Sequence, residues 1–258
     1  MAKQAYARGE YAQAVRYCDQ LAAHFGVRDD LLNIKAVSLL ALGQVEAAEA
    51  SIQQALKINP GIAGIHLNAA GIYKALSLKN QVKKHALEAV RLAPRVAVVL
   101  YQAALFFRDC GDYPQTLRLM DRCLQLKPDF SRAWHLKGSA LIDLGITQAA
   151  QVALEKSVEL DPGNITALSA LISIRGDCLS DSRTVSLLED IQTNAASNAD
   201  RASAFFSLGN MYRRDGQHEV AFAHFLKANA LAAASKPFDL GSWESKRIRV
   251  MQASAGHH

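Results

Sequence analysis

The chain has 258 residues, of which half are hydrophobic and 21% are charged, a composition typical of a folded globular protein. Its 15 glycines and 6 prolines are too few for a collagen-like or low-complexity chain. The formal charge of +5 is spread along the sequence without a run of five basic residues, which argues against nucleic acid as a partner.

Cysteine usage and hydropathy predict a protein of a reducing compartment with no membrane span. The four cysteines form no C-x-x-C pair and no cluster with histidine at zinc spacing. No stretch of about 18 apolar residues is present, and the polar start, residues 1–11, is unlike a signal peptide. We therefore expect a cytoplasmic protein. The final residues, 255–258, are predicted to be the remnant of an affinity tag.

Prolines recur along the chain at a constant interval of 34 residues. The series consists of Pro60, Pro94, Pro128 and Pro162, and Gly26 extends it toward the N-terminus. Each of these prolines follows a helical pattern. Because proline lacks the N–H that a continuing helix needs, each one predicts the end of a helix.

A second series with the same interval lies midway between the prolines. It consists of Gly9, Gly43, Gly111 and Gly145, with Ser77 in the remaining position. Glycine adopts the left-handed conformation that ends a helix in a tight turn. The predicted unit is therefore a helix, a tight turn, a second helix and a proline turn.

Small residues also recur at this interval, where paired helices must approach closely. On first helices they are Ala36, Ala70, Ala104 and Gly138. On second helices they are Ala14, Ala48, Thr116 and Ala150, with the larger Val82 in the same column. Residues such as Leu32, Leu39, Ile52 and Leu56 have helical spacing and are predicted to form the buried stripe.

Two segments reproduce the pattern W-x2-L-G-x2-Y, A-x3-F and P of the tetratricopeptide repeat family. One contains Phe205, Leu208, Gly209, Tyr212, Ala221 and Phe225. The other contains Trp134, Gly138, Ala150, Leu154 and Pro162, with Lys137 in place of the usual leucine. The resemblance covers residues 1–235 and implies an all-α fold, a right-handed superhelix of about six to seven helix pairs.

Two regions depart from the repeat. Residues 165–200 resemble a degenerate unit, with helices predicted at 165–175 and 183–193, a long turn between them, and 196–200 in place of the proline turn. Asp181 or Ser182 is the predicted cap of the second of these helices. Residues 236–254 are predicted to be either a C-terminal capping helix, begun by Asp239, or the start of a further domain.

The resemblance implies that first helices line a concave groove where peptide partners bind. The repeat register places eleven residues there: Asn33, Asn68, Lys74, Tyr101, Arg108, Arg132, His135, Asp143, Asn210, Arg213 and Arg214. This set is polar and more basic than acidic, which suits an acidic or carboxylate-bearing protein or peptide. The alternative interpretation is that these side chains are simply the solvated face of their helices.

Chaperone-binding members of the family carry a carboxylate clamp of lysine, arginine and asparagine side chains. The corresponding residues of this chain are Asn33, Val37, Asn68, Val98 and Gln102. Only Asn68 agrees with the clamp. We therefore predict that the chain does not tightly bind the acidic C-terminal tail of heat-shock chaperones.

No catalytic motif is present, and neither a cofactor nor a metal is predicted. The sequence has no H-E-x-x-H, G-x-S-x-G, phosphate-binding or dinucleotide-binding loop, and His218 and His224 lack metal spacing. Helical carboxylates and aromatic residues fit exposed faces and repeat packing better than active-site roles. The sequence thus predicts a non-catalytic scaffold for protein or peptide binding, with self-association through exposed repeat ends as a further option.

The last predicted repeat resembles those of bacterial proteins in which a tetratricopeptide array precedes a sulfotransferase domain. The resemblance rests on residues 221–231, which contain the pattern A-F-x-x-F-x-x-A-N-x-L, and on the later pair Phe238-Asp239. The sulfonate-donor loop of that family is missing from this sequence. The alternative function is therefore a recruiting module of a larger bifunctional sulfotransferase.

Overall fold

The computed structural model describes residues 1–175, 182–195 and 197–235, in which helices alternate with short turns. The fourteen helices within these ranges are α1 (Ala2–Ala7), α2 (Tyr11–Phe25), α3 (Asp29–Ala41), α4 (Val45–Ile58), α5 (Ala63–Ala75), α6 (Lys79–Leu92), α7 (Ala97–Asp109), α8 (Tyr113–Leu126), α9 (Ser131–Asp143), α10 (Thr147–Leu160), α11 (Ile165–Ile174), α12 (Ser182–Asn194), α13 (Asn198–Arg214) and α14 (His218–Ser235). The chain divides after Leu160 into two compact units, unit 1 with α1–α10 and unit 2 with α11–α14. The predicted all-α fold of stacked helix pairs is confirmed.

The tight turns inside the helix pairs adopt the predicted left-handed conformation. The glycines that end the first helices of unit 1 have φ angles between 75° and 78°. Ser77, in the same position of its repeat, has a φ of 60° and is the one non-glycine residue with positive φ in the described chain. A side chain in this conformation costs about 1 kcal/mol, so Ser77 holds a strained turn that the surrounding pair imposes.

The proline turns end the second helices, and neighbouring side chains bind their free carbonyls. The helix α4 ends at Ile58, two residues before Pro60. The Trp134 indole Nε1 donates a hydrogen bond to the Pro128 carbonyl at 2.8 Å, and Arg122 donates to the Pro94 carbonyl at 3.1 Å. These bonds give hydrogen-bond partners to backbone carbonyls of the turns, which lie outside the helices.

The columns of small residues lie where the two helices of a pair meet. Ala36, Ala70 and Ala104 on first helices are completely buried, as are Ala48 and Ala150 on second helices. At Gly138 an added Cβ would stand only 2.7 Å from the Leu154 Cγ, which leaves no room for a side chain. Close approach of paired helices therefore requires these residues.

Successive first helices lie side by side in unit 1. Helix α3 packs on α5, α5 on α7, and α7 on α9, while the second helices α2, α4, α6 and α8 each pack between their own partner and the next first helix. Ion pairs join the stacked pairs, such as Lys35 with Asp19, and Lys137 with Asp121 at 2.7 Å. The first helices thus form one surface, which we call the first-helix face.

Unit 2 contains the degenerate repeat, and its helices begin and end within one residue of the predicted bounds at 165–175 and 183–193. The segment 196–200 is not wholly a turn, because Asn198–Asp200 belong to α13. The Ser197 hydroxyl accepts hydrogen bonds from the backbone N–H groups of Ala199 and Asp200, and so caps this earlier start. Residues 176–181 and 236–258, with the predicted capping helix and the Phe238-Asp239 pair, lie outside the described residues.

Candidate functional site

All eleven residues that were predicted to line the groove lie on first helices. Their distribution along the chain is Asn33 on α3, Asn68 and Lys74 on α5, Tyr101 and Arg108 on α7, Arg132, His135 and Asp143 on α9, and Asn210, Arg213 and Arg214 on α13. The first eight belong to unit 1 and the last three to unit 2. Their contacts show which of these side chains are available to a ligand.

A pair of asparagines joins the first two of these helices. The Asn68 side-chain amide on α5 donates a hydrogen bond to the Asn33 Oδ1 on α3 at 2.8 Å, and both residues are partly buried. Each side chain keeps further donor or acceptor capacity, since an amide can form up to four hydrogen bonds. The two residues therefore form a fixed amide pair on the first-helix face.

Charged residues at the ends of α5 and α7 form a small network. The Lys74 ammonium pairs with the Asp109 carboxylate, and the Arg108 guanidinium lies 3.3 Å from the other oxygen of the same carboxylate. Sequence reasoning missed Asp109 as part of the groove. Its position, 34 residues before the predicted groove residue Asp143, is the signal that could have identified it.

Tyr101, Arg108, Arg132 and His135 come together across α7 and α9, and we call them the basic cluster. Burial raises the pKa of Tyr101, while the positive charges of Arg132 and Arg108 oppose this change. Burial and the nearby charge of Arg108 lower the pKa of His135, so its imidazole is neutral at pH 7. The positive charge of the cluster is thus concentrated on two guanidinium groups, of which Arg132 is exposed.

In unit 2 the predicted groove residues have different roles. The Arg214 guanidinium donates hydrogen bonds to the carbonyls of Ile172 at 2.8 Å and Arg175 at 3.1 Å, so it closes the C-terminal end of α11. Arg214 lies on the surface formed by the first helices α11 and α13, which we call the first-helix face of unit 2, and part of its hydrogen-bonding capacity is used by these carbonyls. Arg213 is exposed, and Asn210 is partly buried on the same face.

A buried pair of histidines, not singled out from the sequence, lies inside the α5–α6 pair. The Nδ1 atoms of His66 and His85 are 3.0 Å apart, and the Nε2 of His66 lies 2.9 Å from the Pro60 carbonyl. Because a carbonyl only accepts, His66 carries its proton on Nε2 and its Nδ1 accepts from the His85 Nδ1–H. In this arrangement each nitrogen that faces the other ring or the Pro60 carbonyl has a hydrogen-bond partner.

His66 occupies the position that Trp134 holds two repeats later, 68 residues along the chain. Both rings bind the carbonyl of the preceding proline turn. This shared role, and the 7% exposure of His66, indicate that the histidine pair is a packing element of the repeat.

Two kinds of feature are absent from the described residues. No described helix has the length and apolar character needed to cross a bilayer. Within residues 1–175, 182–195 and 197–235, no group of three or more histidine, cysteine or carboxylate side chains is arranged to hold a metal ion. Cys18 and Cys123 are buried, and burial raises the pKa of each thiol to about 11.

Family models of the tetratricopeptide repeat match residues 1–61 and residues 131–164. The chain contains tetratricopeptide repeats. These matches include the Trp134 segment and the first two proline-turn positions, Gly26 and Pro60. They agree with the helix-turn-helix units and the 34-residue period of the structure.

Among curated proteins, the chain is 30% identical over 123 residues to the heat shock protein sti1 homolog of Schizosaccharomyces pombe. The matched region is 48% of this chain and 18% of that protein. A second relative, U-box domain-containing protein 70 of Oryza sativa, is 23% identical over 66% of the chain and 20% of its own length. The chain thus spans about a fifth of the length of these relatives.

Solved structures share the fold at low sequence identity. A tetratricopeptide repeat protein from Parabacteroides merdae superposes with a TM-score of 0.65 at 14% identity, over 95% of this chain and 93% of that one. YrrB, described as a TPR protein with an unusual peptide-binding site, gives a TM-score of 0.52 at 15% identity, over 80% and 96% of the two chains. Repeats of this kind are typical of protein-interaction scaffolds, and the likeness to these structures establishes the architecture alone.

Proposed function

We propose that the chain is a non-catalytic scaffold that binds a peptide or protein segment along its first-helix face. The observation that carries this proposal is the basic cluster, where an exposed guanidinium, a second guanidinium, a phenol and a neutral imidazole meet on two neighbouring helices. Its other side chains are partly buried and fixed by packing, as when the Tyr101 ring contacts Phe130 at 5.0 Å between ring centroids. Preorganised polar groups of this kind favour binding because little ordering is needed.

The charge of the basic cluster defines the chemistry of the proposed partner. Arg132 is exposed, and Arg108 shares the single carboxylate of Asp109 with Lys74. Guanidinium groups bind carboxylates in a planar, two-point geometry. We infer that the segment bound in unit 1 carries aspartate, glutamate or a terminal carboxylate at this point. The peptide-binding site named for YrrB is in keeping with such a role.

Arg132→Glu is expected to weaken binding of acidic peptides about tenfold, since it replaces attraction with repulsion at the exposed charge of the cluster. The partner can be found by selecting random peptides displayed on phage against the whole chain. The selected peptides are then synthesised and titrated by calorimetry at low and high salt. We expect them to be rich in acidic residues and to bind more weakly as salt increases.

Arg118→Glu is the matched control, because Arg118 is also an exposed arginine but lies on the second helix α8. This variant should bind the selected peptides as well as the unchanged chain does. Equal affinity of both variants, or a selection without acidic peptides, would show that the basic cluster is only a solvated surface.

The acidic C-terminal tail of heat-shock chaperones is expected to bind weakly or not at all. Val37, Val98 and Gln102 stand where the clamp of chaperone-binding relatives has amide or cationic side chains, and the Asn68 amide is hydrogen-bonded to Asn33. Calorimetry with a synthetic tail peptide tests this expectation directly. A micromolar Kd would contradict it and would indicate a clamp built from other residues.

A further inference from the structure

A cavity of about 370 Å³ opens on the first-helix face of unit 2, between α11 and α13. Its volume lies near the lower limit for ligand pockets, which is enough for one large side chain and the backbone on either side. Four serines, one asparagine, one arginine, Ile172 and Phe206 line it. The sequence had placed Asn210 and Arg214 on this face, but the cavity itself and its serines were not predicted.

The hydrogen bonds of the lining residues determine what the cavity offers. The Ser173 hydroxyl donates to the Ala170 carbonyl at 2.7 Å, and the Ser203 hydroxyl donates to the Ala199 carbonyl at 2.9 Å. With their hydrogens used in this way, both oxygens present only lone pairs to a ligand. Asn210 makes no side-chain hydrogen bond within the described chain, so its amide presents both a donor and an acceptor.

The cavity is poorly suited to an anion. Its one cationic group, the Arg214 guanidinium, already donates hydrogen bonds to the carbonyls of Ile172, Ser173 and Arg175 at the end of α11. The Ser169 and Ser207 hydroxyls are bonded to each other at 2.8 Å, which uses one of their two hydrogens. Hydroxyl acceptors and an unused amide instead match a neutral group that both donates and accepts, which is the chemistry of a peptide bond.

The apolar part of the cavity is the side chain of Phe206. This residue is 37% exposed, although its ring also contacts that of Phe225, with the centroids 6.2 Å apart. An aromatic ring held on one side and open on the other is suited to pack against a second aromatic ring. An incoming aromatic side chain would cover this surface.

We propose that this cavity anchors one aromatic residue of an extended peptide bound along the first-helix face of unit 2. The aromatic side chain packs on Phe206. The backbone N–H of the residue donates to Ser173 or Ser203, and a carbonyl accepts from the Asn210 amide. The inference rests on the proposed function and assigns unit 2 a preference that differs from the acidic preference of unit 1.

Three small probes test the anchor by NMR titration of the isotope-labelled whole chain. They are N-acetyl-phenylalanine methylamide, the matching alanine compound and inorganic phosphate. We expect saturable shifts at Ser203, Ser207 and Asn210 with the phenylalanine probe, at least fivefold weaker binding of the alanine probe, and no response to phosphate. Shifts with phosphate alone would indicate an anion site and overturn the proposal, as would no response to any probe.

Two variants and one control complete the test. Asn210→Asp keeps the shape of the side chain but removes its hydrogen-bond donor, and should weaken binding of the phenylalanine probe about fivefold. Phe206→Ala should weaken binding of the same probe about tenfold. Asn229→Asp makes the same chemical change on the exposed surface of α14 and should have no effect. Unchanged affinity of the Asn210→Asp variant overturns the proposal even if Phe206→Ala does not fold.

The outcomes for the aromatic anchor can be told apart from the outcomes for the proposed function. If acidic peptides bind through Arg132 while the phenylalanine probe does not bind, the anchor is wrong and the scaffold function stands. If the probe binds while the phage selection yields no peptide, the cavity is real and the acidic preference of unit 1 is wrong.

Discussion

Acidification from pH 7 to pH 4 is expected to lower the free energy of unfolding by about 3 kcal/mol through His85 alone. Burial, with the charges of His66 and Lys84, lowers the pKa of His85 from its ordinary value of 6.5 to about 4. The unfolded chain therefore takes up the proton first. The full stability is present above pH 6.5 and is lost progressively as the pH falls to about 4. Urea unfolding followed by circular dichroism at several pH values measures this loss.

His85→Gln isolates this contribution from those of other groups. Burial also lowers the pKa values of His135 and His224, so the unchanged chain loses stability in acid at more than one site. Glutamine supplies an N–H donor for the Nδ1 of His66 without titrating. The variant should be less stable at pH 7 but should lose about 3 kcal/mol less on acidification. An equal loss in both proteins would show that His85 is not held neutral by the fold.

Gly138→Leu is expected to lower the free energy of unfolding by about 3 kcal/mol, the upper range for overpacking a close contact. Even a Cβ at this position would stand 2.7 Å from the Leu154 Cγ and 3.4 Å from the Ala150 carbonyl oxygen. Since both contacts belong to the partner helix α10, the α9–α10 pair must separate to admit the side chain. The midpoint of urea unfolding reports the change.

Alanine at two glycines provides the control for this prediction. At Gly71 on α5, the nearest atom to an added Cβ is the Phe106 Cζ at 3.8 Å, an ordinary contact. Gly71→Ala should stabilise the chain by up to about 1 kcal/mol because alanine favours the helix. Gly138→Ala has the same propensity gain but should still destabilise. Equal stabilisation by both changes would mean that the α9–α10 pair relaxes freely around Gly138.

The sequence predicted the parts of the fold that depend on backbone chemistry. Proline and glycine act through their own φ preferences, so their 34-residue series located the turns, and Gly111 and Gly145 have the left-handed φ angles that were expected. The segment 196–200 was predicted less well. A cap depends on local hydrogen bonds, here the two that the Ser197 hydroxyl accepts from backbone N–H groups, and such bonds compete with the repeat period in setting where a helix begins.

The candidate site was predicted as a set of positions but not as a set of interactions. The register placed Arg214 on the first-helix face, yet nothing in the pattern showed that its guanidinium would close the end of α11, 39 or more residues earlier. The cavity beside Asn210 was not foreseen for the same reason. Its size depends on the distance between two helices, which spacing along one chain does not encode.

By itself the sequence determined the architecture of this protein. It predicted helix pairs that repeat at a constant interval, are joined at glycine and proline turns, and pack through columns of small residues. Those features arise from steric rules that act within a few residues or repeat at each unit. Only the tertiary structure decided which polar groups are available, since the Arg214 guanidinium is hydrogen-bonded to the end of α11 while the Asn210 amide makes no side-chain hydrogen bond in the described chain. Hydrogen bonds between side chains and distant backbone depend on three-dimensional proximity, which only the stacked fold creates.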